Sequence, residues 1–216
     1  MAKFSWKKLA IYMVGLTLLG LSVALMQQTR LGMSSWDAFN RNFYEGIPID
    51  YKYLNPIVAL ILVVVAYLLQ HKRFSLWMLF PLAISFYVGL VIDLLLLIIP
   101  LVVNSHWLFN ALYLALAIVI CAIGLNLVIY GQFPLPALDE LCLAIANRLH
   151  TTFGKGKLIG ELIALVATVV FGLVFHHQEH WFYLGPTTII FTFSIGFVVD
   201  LLNRPIHSIL GEKHEN

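Results

Sequence analysis

Five acidic residues stand where a carboxylate is either costly or oriented. Asp93 lies inside the apolar run that starts at Phe74, Asp200 inside the run that starts at Trp181, and Glu161 four residues into a run from Leu158. Asp37 and Asp139 open short amphipathic segments. A carboxylate within a membrane-length apolar run is expensive and marks an ion, proton or substrate path. Desolvation favours its protonated form and rehydration its charged form, which is the chemistry of proton or cation coupling. Each residue also has a plainer role open to it. Asp93 and Asp200 sit near the ends of their runs, where they can snorkel or bond a neighbouring loop. Glu161 can pair with Lys157 one turn before it. Asp37 and Asp139 can offset the dipole at a helix N-terminus.

Spacing sharpens two of these sites. Ser85, Gly89 and Asp93 fall at i, i+4 and i+8, so they share a helix face, and Thr192, Gly196 and Asp200 repeat it. Small residues on such a stripe predict a face that packs against another helix. The run His176-His177-Gln178-Glu179-His180 has metal-like spacing, but it has no cysteine partner and predicts no metal site. Cys121 and Cys142 lie apart in apolar or amphipathic surroundings and read as buried free thiols. No nucleophile motif, phosphate loop or nucleotide fingerprint is present, so neither an enzyme nor a cofactor is expected.

The elements that position these residues follow from composition. Of 216 residues, 61% are hydrophobic and 11% charged, and the mean hydropathy is +0.89. Soluble domains run at roughly 45–50% apolar and about 25% charged, so soluble, disordered and disulfide-scaffold classes are excluded. The net charge of +2 is spread singly among apolar runs, which argues against nucleic acid as a partner. The partner instead is the lipid bilayer. Six runs are long enough to predict spans: Leu9–Met26, Pro56–Leu69, Phe74–Leu97, Trp107–Tyr130, Leu158–Phe175 and Trp181–Leu202. Asn55, before Pro56, reads as the cap of the second. Met26-Gln27-Gln28-Thr29-Arg30 offers no cleavage site after the first, which therefore reads as a retained helix.

Basic residues set the expected orientation. With the N-terminus inside, Lys3, Lys7, Lys8, Lys72, Arg73, Arg148, Lys155, Lys157, Arg204 and Lys213 are cytoplasmic, and only Arg30, Arg41 and Lys52 lie outside. An even number of spans returns the C-terminus to the cytoplasm.

The chain also echoes itself. Ile84–Leu95 matches Phe191–Leu202, with Phe86/Phe193, Gly89/Gly196, Val91/Val198, Asp93/Asp200, Leu94/Leu201 and Leu95/Leu202 identical. More weakly, Gly20–Met26 resembles Gly124–Tyr130, and each leads through Gln and a turn to Asp37 or Asp139. A single membrane domain built of two repeats, about 9–103 and 107–207, is the prediction. Three spans per repeat is odd, so the repeats must be inverted, as in many secondary transporters. Segments 34–45 and 137–149 read as short helices, interfacial or re-entrant, with Ser34 or Ser35 and Pro136 at their starts.

The stretch Gly20–Asp37, with Leu31-Gly32-Met33-Ser34-Ser35-Trp36-Asp37, resembles the signature of the YczE/YyaS/YitT family of bacterial membrane proteins. Ser35 stands where that family usually has proline, and Leu135-Pro136-Ala137-Leu138-Asp139 lacks the expected glycines. Gly160-Glu161 fits a glutamate that the family tends to carry at its fifth span. The resemblance implies an all-α, six-span fold in a bacterial plasma membrane. It implies no settled activity.

The functional expectation is a small secondary transporter or exporter of an unidentified small solute or ion. Asp93, Asp200, Glu161, Asp37 and Asp139 are the coupling candidates. The alternative is a non-transporting membrane partner or regulatory subunit, including a substrate-capture subunit. Such a subunit would dock through Gly15, Gly20 and Ala24, and a homodimer is the other assembly open to the chain.

Overall fold

In the long helices of this chain apolar residues occur on every side, a pattern that belongs to a helix buried in protein or in lipid. A computed structural model describes residues 5–29, 31–46, 51–72, 76–100, 107–175 and 183–211. Eight α-helices account for nearly all of them: α1 (Trp6–Thr29), α2 (Ser35–Gly46), α3 (Tyr51–Leu69), α4 (Phe80–Leu96), α5 (Trp107–Gly131), α6 (Ala137–Arg148), α7 (Phe153–Phe175) and α8 (Pro186–Leu210). A 3-10 turn, Leu76–Leu79, leads into α4.

The stretches Trp6–Thr29, Trp107–Gly131, Phe153–Val174 and Pro186–Leu210 are long and apolar enough to cross a membrane. Pro56–Leu69 and Phe80–Leu96 are apolar but shorter. Six spans were expected, the second of them short; among the described residues four apolar helices are long and two are shorter. The second does not start at a cap formed by Asn55, because α3 begins at Tyr51 and runs through Pro56. The third opens with the 3-10 turn and becomes α-helical at Phe80, and the sixth continues past Leu202 through Pro205.

Apolar side chains fill the core but also cover the outside, and many polar ones are buried. Phe86, Val166, Leu173, Phe193, Phe197 and Leu201 point outward, whereas Ser22, Asn126, Glu161, Thr168, Thr187 and Thr192 are at most 1% exposed. That distribution suits a chain whose surroundings are apolar and whose polar groups must find partners internally. Several do so between helices. Ser22 Oγ donates to the Ala117 carbonyl at 2.8 Å, and Asn126 Nδ2 to the Val199 carbonyl at 3.0 Å. Gln28 Nε2 donates to the Leu96 and Ile99 carbonyls at the end of α4, at 3.2 and 2.9 Å.

At the centre α1 crosses α5, with α4 packed on α1 and α8 on α5. Helix α2 lies along α7 and α3 along α6, while α7 also packs on α6 and α8. Glycines permit the closest approaches. A Cβ on Gly15 would meet the Gly124 carbonyl oxygen at 2.9 Å, and a Cβ on Gly124 would meet that of Gly15 at the same distance. Between α7 and α8, the Gly154 and Gly196 backbones touch so closely that a Cβ on either would collide with the carbonyl oxygen of the other. Overpacking of a close contact typically costs 1–3 kcal/mol. Gly196→Leu is accordingly expected to lower stability by about 1–3 kcal/mol, read by thermal unfolding in detergent. A variant as stable as the wild type would contradict the contact.

Candidate functional site: a central cavity with buried charges

The two short amphipathic helices put their first turns into the middle of the bundle. Ser34 Oγ accepts the Asp37 backbone N–H at 3.1 Å and donates to Asp37 Oδ2 at 2.7 Å, so Ser34 caps α2 and fixes its carboxylate. Ser35 Oγ and Thr192 Oγ1 of α8 are 2.5 Å apart, and Thr168 Oγ1 of α7 donates to the Ser35 carbonyl at 3.0 Å. Farther along α2, Phe39 and Phe43 meet Phe171 edge to face, with centroids 5.4 and 4.9 Å apart. The second short helix is held at its start as well. Pro136 takes the N-cap position, not the first helical one, and the Ala137 N–H donates to Ser85 Oγ of α4 at 3.3 Å.

Helix α7 supplies the remaining charges. Thr152 caps it through the Lys155 N–H at 3.4 Å. Cβ atoms on Gly156 and Gly160 would collide with Cys142 of α6, so these glycines let the two helices lie together. Lys157 and Glu161, one turn apart, then face α6. Lys157 Nζ is 2.7 Å from Asp139 Oδ1 and 3.0 Å from Glu161 Oε1. All three are buried: Lys157 is 5% exposed, Asp139 7% and Glu161 1%. Glu161 Oε2 has no hydrogen-bond partner among the described residues.

These groups border one cavity of about 180 Å³, well above the roughly 10–15 Å³ that a single water needs. Asp37, Asp139, Lys157 and Glu161 line it together with Ser34, Trp36 and Asn40, and Leu19, Val23, Met26, Leu125 and Phe191 form its apolar wall. Burial pushes the Asp37 carboxyl up to about 6, and nearby Glu161 adds to the rise. Its hydrogen bond to Ser34 and the Lys157 ammonium act in the opposite sense.

The acidic residues singled out by sequence therefore divide. Asp37, Asp139 and Glu161 meet around the cavity. Asp200 does not line it. Its carboxylate accepts the Thr152 hydroxyl at 2.6 Å and the Gly154 N–H at 2.9 Å, tying α8 to the start of α7. Asp93 is exposed on α4, outside the cavity lining. The packing stripes divide too. Gly196 and Thr192 contact other helices. Ser85 Oγ donates to the Pro81 carbonyl at 2.8 Å besides accepting Ala137 N–H. Gly89 packs against nothing: a Cβ there would meet no atom within 4 Å, and the residue borders the cavity. Its smallness leaves space and makes no contact, which corrects the expectation of a packing face at that position.

The Lys157–Glu161 pair that the i,i+4 spacing suggests is present at 3.0 Å. The second contact of Lys157, to Asp139 on α6, is the part that spacing does not reveal. Trp36 was noted only as part of a motif. Cys121 and Cys142 are buried free thiols, with Cys121 on the cavity wall. The run from His176 to His180 lies outside the described residues. Among the described residues no group of three His, Cys, Asp or Glu side chains is placed to hold a metal ion.

No curated protein and no solved structure matches the chain. One family model does, over residues 6–204. On that match, which covers nearly its whole length, the chain belongs to DUF6198, a family of unknown function.

Proposed function

We propose that this protein is a small secondary transporter of the bacterial plasma membrane, with both termini cytoplasmic, whose coupling site is the central cavity. The observation that carries the reading is the convergence of Asp37, Asp139, Lys157 and Glu161 on one cavity. A buried carboxylate oxygen without a partner is costly in apolar surroundings, and a proton or a bound cation satisfies it. Glu161 Oε2 is such an atom. Loading and unloading it from opposite sides of the bilayer would couple proton movement to that of a solute.

The architecture proposed for it is six spans in two inverted repeats, with α1, α2, α3 and α4 equivalent to α5, α6, α7 and α8. Paired contacts support this. Helix α4 packs on α1 as α8 packs on α5, and α2 packs on α7 as α3 packs on α6. The start of α2 is tied to Thr192 and the start of α6 to Ser85, two residues that the sequence repeat aligns. Gly15 and Gly124 meet on the central crossing. The charge on the site is not paired in this way, since Lys157 and Glu161 belong to the second half alone. We also propose kinship with the YczE/YyaS/YitT proteins, on the Leu31–Asp37 segment and Gly160-Glu161.

Reconstitution tests the reading. Liposomes holding the full chain and a trapped pH-sensitive dye are challenged with amines, amino acids, carboxylates, sugars and monovalent salts under an imposed pH gradient. At least one solute is expected to dissipate the gradient faster than in protein-free liposomes. A flat response to the whole panel, from folded protein, would favour the non-transporting partner instead.

A further inference from the structure

We infer that the central cavity binds a small organic monocation, a protonated amine or quaternary ammonium, between the Trp36 ring and the carboxylates of Asp37 and Glu161. The inference rests on the transporter reading and names its substrate class. Three observations point the same way. Three carboxylates and one ammonium border the cavity, so two negative charges are left over when all are ionised. An anion is repelled by that balance and a cation attracted. Lys157 is already committed to Asp139 Oδ1 and Glu161 Oε1, whereas Glu161 Oε2 is unpartnered in a residue only 1% exposed on the cavity wall. An ionised oxygen in that position calls for a donor or a cation.

The walls decide which cation. Hard metal ions take six or more oxygen ligands, and no group of three acidic, histidine or cysteine side chains among the described residues is arranged to hold one. Leu19, Val23, Met26, Leu125 and Phe191 instead give an apolar surface, suited to carbon substituents and not to a hydration shell. Trp36, beside Asp37 in the first turn of α2, lines the cavity and stacks on Phe39 with centroids 5.4 Å apart, and an indole is the best of the aromatic rings for a cation. Gly89 also lines the cavity, and a Cβ there would meet no atom within 4 Å, so the wall is open at that point.

The same geometry sets the pH response. The groups facing Asp37 are Glu161 and Lys157 on α7, with Asp139 on α6 completing the cluster. Asp37 titrates near 6, so it is charged above that pH and neutral below it. Cation affinity is therefore expected to fall as pH drops through 6, with proton and cation competing for one carboxylate.

The test is isothermal titration calorimetry of the full chain in nanodiscs at pH 7.5 with tetramethylammonium chloride and methylammonium chloride. Potassium chloride, sodium acetate and tert-butanol serve as controls for salt, anion and uncharged shape. Saturable heat is expected with the ammonium salts only. Asp37→Asn should weaken it about ten-fold or more. Trp36→Leu should weaken it by about 3–30-fold, with substantial recovery in Trp36→Phe. Ammonium heats no different from potassium chloride in the wild type would overturn the inference, as would acetate binding or undiminished affinity in Asp37→Asn. The dye assay on the same protein separates the two claims. Flux of some other solute without ammonium binding overturns only the substrate class, and ammonium binding without any flux overturns only transport.

Discussion

Replacing Lys157 with methionine is expected to destabilise the protein by about 3–5 kcal/mol, more than any other single change to the site. The Lys157 ammonium is 2.7 Å from Asp139 and 3.0 Å from Glu161, and none of the three residues is more than 7% exposed. Methionine matches the length of the aliphatic stem but removes the charge, leaving two buried carboxylates without their shared counter-ion. Breaking a buried ion pair from one side is strongly destabilising for that reason, whereas neutralising every member together is far milder. The triple variant Lys157→Met, Asp139→Asn, Glu161→Gln is accordingly expected to recover most of the loss. Thermal unfolding of the purified variants in one detergent checks both parts. A single variant as stable as wild type, or a triple variant worse than the single, would contradict the network.

The second large effect concerns transport and leaves folding intact. Glu161→Gln keeps the shape of the side chain and leaves the Lys157–Asp139 pair in place. It removes the ionisable group whose Oε2 stands unpartnered beside the cavity. Proton-coupled flux is expected to fall about ten-fold or more, the scale of losing a charge-assisted hydrogen bond, while the unfolding temperature changes little.

Much of this was legible in the sequence, and the reasons for the rest are physical. Apolar runs of membrane length located every long helix, because in such a chain composition alone separates helix from loop. Ends were harder. Pro56 reads as the first residue of the second span and Leu202 as the last of the sixth, yet α3 begins at Tyr51 and α8 runs on through Pro205, since one missing hydrogen bond does not end a helix that packing holds. The acidic candidates were found by the cost of placing a charge in an apolar run. Which of them meet was not readable, because that depends on how α6 folds back along α7 and on how α2 reaches α7 from more than a hundred residues away. Asp93 and Asp200 carry the most conspicuous sequence repeat, yet neither lines the cavity. Asp200 holds the start of α7 through Thr152 and Gly154. The burial of Lys157 was hidden by its type: a lysine near a helix end counts as a loop cation until packing shows otherwise.

The central claim is that coupling runs through the cavity carboxylates and not through the repeated aspartates of α4 and α8. Initial rates of gradient dissipation, normalised to folded protein, compare Glu161→Gln with the double variant Asp93→Asn, Asp200→Asn in matched liposomes. The double variant is predicted to keep the wild-type rate within about two-fold, well under the 1.4 kcal/mol that a ten-fold change represents, while Glu161→Gln loses it. Full flux in Glu161→Gln together with lost flux in the double variant would contradict the account.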